Sequence, residues 1–160
     1  MSVKDKFTAE EWKSLLKAPM LASYAVAGAA PSKQEDFVKE MASVAEGVFE
    51  GEQQATKDSL LGAVIADILA NAEDDQRGQT EKLSLEETKG RALENCREVA
   101  RLLQGKVSPE EAYEYKRWVL VVAEKVASAA KEGGLFGFVG EQISGSEIAT
   151  INEIGEAIAI

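Results

Sequence analysis

Five quartets of the form Ser/Thr-x-x-Glu punctuate the chain: Thr8/Glu11, Ser32/Glu35, Ser84/Glu87, Ser108/Glu111 and Ser144/Glu147. In such a quartet the hydroxyl accepts a hydrogen bond from a free N–H of the first helical turn, while the glutamate reaches back to the cap's own N–H. Each is preceded by an apolar residue or proline, Phe7, Pro31, Leu83, Val107 and Ile143, and each opens a segment with helical periodicity. Two further matches, Ser43/Glu46 and Thr150/Glu153, fall inside helical runs and mark no start. A chain with this many helix entries is expected to be all-α: one domain over residues 1–160, built as a bundle of six to seven helices.

The apolar periodicity places the helices. Ala9–Lys17 aligns Trp12, Leu15 and Leu16, and Phe7 is placed to staple onto Trp12. Pro19 cannot donate to a helix that precedes it but suits a first turn, so a second, Ala-rich helix is predicted from Pro19 to about Ala29. Its small residues, Ala18, Ala22 and Ala25, would let a neighbour approach closely. Further helices are predicted over Lys33–Phe49, Asp58–Asn71, Leu85–Gln104 and Gly145–Ile158. Residues 71–83 have no apolar period and are read as a mobile loop. The segment 109–131 opens with Ser108-Pro109-Glu110-Glu111 and continues through Trp118-Val119-Leu120-Val121-Val122-Ala123, which is apolar on every side. It is the predicted central helix.

Composition narrows the function. There are 28 Asp/Glu against 18 Lys/Arg, a net charge of −10, so nucleic acid and anionic lipid would be repelled. The basic pairs Lys4/Lys6 and Lys116/Arg117 are too small to reverse that field. The longest uncharged stretch, Ala18–Ser32, has 15 residues, short of the roughly 20 that span a bilayer. No membrane span is expected. One cysteine, Cys96, fits a reducing compartment, and the charged N-terminal residues resemble no export signal, so a cytoplasmic location is expected.

The chain contains no histidine. Imidazole-based triads, zinc sites with His ligands and Glu-x-x-His di-iron bundles are thereby removed. Cys96 lies on the apolar stripe of its helix and is read as a core thiol, so no catalytic residue and no cofactor is assigned. Carboxylate sites for calcium or magnesium need no histidine. Asp67, roughly 20° from Leu60 in helical projection, borders the apolar stripe and is the candidate metal ligand; Glu73-Asp74-Asp75 lacks the EF-hand spacing. The glycine-punctuated run Leu135-Phe136-Gly137-Phe138-Val139-Gly140-Glu141 offers Phe136, Phe138 and Glu141 either as a plug in the helical core or as a partner-binding patch.

Gly28-x-x-x-Ser32-x-x-Glu35 and Gly140-x-x-x-Ser144-x-x-Glu147 share their spacing, and these turns resemble the helix entries of small bacterial proteins of the TerB-like, tellurite-resistance type. The resemblance implies an all-helical bacterial protein. Ala27 and Val139 stand where that family carries an acid before the glycine, so its metal site is not implied. The expected function is a non-enzymatic bacterial interaction or accessory module, binding a protein partner or a second copy of itself. The alternatives are a carboxylate-based calcium or magnesium protein or hydrolase, and a carrier of a small apolar ligand.

Overall fold

The computed structural model describes residues 2–28, 46–48, 50, 51, 53, 59–70, 85–132 and 145–160. After a 3-10 turn, Val3–Lys6, come α1 (Ala9–Gly28), α2 (Leu60–Ala70), α3 (Leu85–Leu103), α4 (Pro109–Glu132) and α5 (Gly145–Ala157). The described residues outside these, at 46–48, 50, 51 and 53, are helical too, and no strand occurs among the described residues. The protein is an all-α bundle.

The capping chemistry is present at two of the predicted starts. At α1, Glu11 N–H donates to Thr8 Oγ1 (3.1 Å) and Thr8 N–H donates to Glu11 Oε2 (2.8 Å), a reciprocal box. At α4, Glu111 N–H donates to Ser108 Oγ (3.2 Å), but the Glu111 carboxylate turns away and accepts from Leu60 N–H of α2 at 3.4 Å. That glutamate therefore serves a second helix. α2 is capped again by Ser59, whose Oγ accepts from Gly62 N–H (3.1 Å).

Pro19 does not divide two helices, contrary to the sequence reading: α1 runs unbroken from Ala9 to Gly28 with the proline inside it. A proline removes one N–H and crowds the carbonyl four residues back. Here that carbonyl, on Leu15, accepts a 2.6 Å hydrogen bond from the buried Tyr115 hydroxyl of α4, and the Ser14 carbonyl beside it accepts from Asn95 Nδ2 of α3 (3.1 Å). The Tyr115 hydroxyl replaces the one donor that the proline withholds. Ser23 Oγ also donates to the Pro19 carbonyl (2.6 Å).

The small residues of α1 do what their size suggests. Ala18, Ala22 and Ala25 are fully buried with Leu15 and Val26, and α1 packs against α2, α3, α4 and α5. α3 buries Ala92, Cys96, Val99 and Leu103. α4 packs on α1, α2 and α5 through Tyr115, Trp118, Val119, Val122 and Val126, so the centre is shared between α1 and α4 rather than held by α4 alone. Helical residue Gly51 lies hard against Trp118 and Ile65, and Trp118 Nε1 donates to the Gly47 carbonyl (3.3 Å). At the end of α5 Ile158 is fully buried, Ile160 is exposed, and Ile160 N–H donates back to the Gly155 carbonyl (3.1 Å). Ala159 takes the left-handed conformation there, φ 63°.

Candidate functional site

Asp67 sits in the middle of a network at the start of the chain. Its Oδ2 accepts from Trp12 Nε1 (2.7 Å) and from Lys4 Nζ (2.8 Å). The Lys4 ammonium lies 5.8 Å from the Trp12 ring centroid, and Phe7 packs on the same indole with centroids 5.7 Å apart. The Lys4 hydrogen bond is the main reason that the Asp67 carboxyl is held below the usual aspartate range, aided by Trp12 and by the Lys4 charge and opposed by partial burial. This carboxylate fastens the N-terminal turn to α2.

A second tie also involves Phe7. Lys106 Nζ meets Glu11 Oε2 at 2.7 Å and stands 5.2 Å from the Phe7 ring centroid. Its hydrogen bond is the largest influence lowering the Glu11 pKa, followed by the bond from Thr8 N–H. Among the described residues no group of three or more Asp, Glu or Cys is placed to hold a metal ion.

Cys96 lies in the core, where burial pushes its thiol up to about 12, so thiolate is scarce at neutral pH. Burial likewise raises the phenol of Tyr115 well above its ordinary value. Neither group is poised to react. Phe136, Phe138 and Glu141, like the Ser32 and Ser144 caps and loop 71–83, lie outside the described residues.

The concave surface is elsewhere. An open groove of about 430 Å³ lies between the end of α3, the start of α4 and Ala159, with Ala100, Leu103, Val107 and Ala112 among its apolar lining and Tyr113 and Lys116 from α4. A second open groove of about 440 Å³, lined by Leu93, Arg97, Glu153, Glu156 and Ala157, borders the same helix. Leu93, Arg97, Ala100 and Gln104 follow one another at helical spacing, so the two depressions succeed each other along one face of α3. No family model matches the chain, and no curated protein or solved structure shows significant similarity to it. The residues of the site have to speak for themselves.

Tyr113 is the feature that the sequence reading passed over. It is 53% exposed, while Tyr115, two positions on, is fully buried. The signal was available: on a helical projection Tyr113 falls beside Glu110, Glu114 and Arg117, away from the apolar stripe of α4. An aromatic residue among charges on an outward face has no core to fill. Lys116, at the same lip, donates to the Ala159 carbonyl, at 3.4 Å.

Proposed function

We propose that this chain is a non-enzymatic protein-binding module of the bacterial cytoplasm, and that it binds through the groove between α3, α4 and Ala159. One observation carries this reading: a half-exposed Tyr113 stands at the lip of an open groove whose lining includes Ala100, Leu103, Val107 and Ala112. Tyrosine at such a rim supplies a large contact area at little entropic cost, and aromatic residues are enriched where proteins meet. An open depression of this kind suits a side chain or helix of another protein better than it suits a small molecule, which needs a more enclosing cavity. The buried, protonated Cys96 is compatible with a reducing compartment.

The test is a photo-crosslinking amino acid placed at Tyr113 in cells, with the same group at exposed Lys13 as control. A discrete crosslinked protein band at position 113, absent at position 13, is the expected result. Native mass spectrometry of the purified chain provides the counter-test. Stoichiometric calcium or magnesium lost on Asp67→Asn, or a retained apolar ligand, would replace the binding-module reading with one of its rivals.

A further inference from the structure

The two grooves along α3 are parted by one short segment. Ala157 lines the groove that holds Leu93 and Arg97, Ala159 lines the one that holds Ala100, Leu103 and Gln104, and between them Ile158 is fully buried. A helix-ending motif holds this partition in place: Ala159 N–H donates to the Glu156 carbonyl (3.2 Å) and Ile160 N–H to the Gly155 carbonyl (3.1 Å). The motif needs a left-handed residue at position 159, a conformation that glycine adopts freely and alanine only under strain. Among the described residues Ala159 is the one non-glycine with a positive φ, 63°. From α4 the segment receives a long bond, Lys116 Nζ to the Ala159 carbonyl (3.4 Å).

We infer that Ala157–Ile160 is a latch: closed, it keeps the grooves apart, and open, it merges them into one trough in which an apolar side chain from a helix of the partner takes the place of Ile158. This rests on the protein-binding reading and adds its regulation. The strain falls on the segment that separates the grooves, so opening releases it and offsets part of the bonds lost. Ile158 belongs to the same apolar core as Leu103, which lines the groove beside it, so the space it leaves suits another aliphatic side chain. Length points the same way. From Leu93 to Gln104 the merged trough would follow α3 for about 16 Å, three helical turns, enough for a partner helix to set anchors on successive turns.

Amide hydrogen exchange of the full chain, read residue by residue by NMR, tests the latch. The Ile158, Ala159 and Ile160 amides are expected to exchange faster than those of the buried Val119 and Val122 of α4, at rates that low urea leaves unchanged, because the latch opens without global unfolding. Ala159→Gly removes the strain and should slow them by about threefold or more, while Ala159→Val adds to it and should speed them by a similar factor. Position 159 is exposed, so neither change opens a void in the core. The Tyr113 crosslink should follow the same order, weaker with glycine and stronger with valine; a valine that merely crowded the groove would do the reverse. Exchange no faster than in α4, exchange indifferent to both substitutions, or a crosslink that ignores them overturns the inference. A wild type without any crosslink removes the protein-binding reading, and with it the use of the latch, whereas the exchange rates report the opening itself, so the two failures are told apart.

Discussion

The hydroxyl of Tyr115 donates a 2.6 Å hydrogen bond to the carbonyl of Leu15, the carbonyl for which Pro19 has no N–H. The pair explains how a proline persists in the middle of a helix against which α2, α3, α4 and α5 all pack. Removing the hydroxyl strands a buried acceptor. Tyr115→Phe is therefore expected to lower stability by about 1–3 kcal/mol. Pro19→Ala restores the N–H within α1, so in the Pro19→Ala background the same Tyr115→Phe change should be much milder. Urea denaturation of the four chains of this cycle measures the difference. Equal losses in both backgrounds would sever the link between Tyr115 and the proline.

Asp67 holds one exposed lysine and one buried indole, and the two bonds differ in weight. Lys4 is 54% exposed at its side chain, so Lys4→Ala should change stability by no more than about 0.5 kcal/mol. Asp67→Ala leaves the indole N–H of Trp12, a residue only 4% exposed, without its acceptor and should cost about 1–3 kcal/mol. Because the folded-state pKa of Asp67 is depressed, its contribution is complete above the ordinary carboxylate range and is lost as pH falls through the folded value. In a Trp118→Phe background, Trp12 emission should shift in that acid window, and Asp67→Asn should abolish the shift.

Cys96 works at the other end of the pH scale. Its folded-state pKa is raised from 9.0 to about 12, so between those values only the unfolded chain forms thiolate. Stability from this group is full below the lower value and falls above it, by about 1.4 kcal/mol per pH unit. A thiol reagent at mildly alkaline pH should label the native protein far more slowly than the urea-unfolded one. Rapid native labelling would place the thiol outside the core.

Three glycines should respond differently to one methyl group. A Cβ on Gly51 would lie 2.5 Å from Trp118 Nε1 and 2.8 Å from Ile65 Cδ1, so Gly51→Ala should cost about 1–3 kcal/mol. On Gly47 the nearest atom, Val122 Cγ2, is 3.1 Å away, and the loss should be smaller. Around Gly90, inside α3, nothing lies within 4 Å, so Gly90→Ala should stabilise by about 0.5–1 kcal/mol. Melting temperatures of the three variants give the ranking directly.

What the sequence made legible was local. The helix entries at Thr8 and Ser108 are visible because both halves of a cap lie three residues apart, and the all-α architecture follows from apolar spacing. The helix predicted from Asp58 is found from Leu60, but its Ser59 cap carries no Ser-x-x-Glu signature, because Gly62 stands at the third position and the acid that serves this end, Glu111, comes from another helix. Pro19 reads as a boundary because the donor that compensates it, Tyr115, lies 100 residues beyond Leu15, the carbonyl it serves. Asp67 was recognised as an acid beside an apolar stripe, but Lys4 and Trp12 are 63 and 55 residues away, and nothing near it in the chain points to either. Tyr113 is legible from projection alone, since it falls among Glu110, Glu114 and Arg117 on the side of α4 opposite the buried Tyr115, Trp118 and Val122; the groove at its side is not, because Leu103, Val107 and Ala159 come from other segments.

The bonds that secure α1 have a consequence for how the protein is made. Asn95 and Tyr115 lie 81 and 100 residues beyond the carbonyls they serve, so α1 leaves the ribosome long before the helices that complete it exist. A nascent chain ending before α3 carries a proline-weakened helix without the partner it packs on most, and one ending before α4 still lacks the Tyr115 hydroxyl. Folding that depends on such distant partners is slower than that of a bundle whose neighbours follow one another in sequence. During synthesis, one of the two helices that share the centre waits for the other to be made.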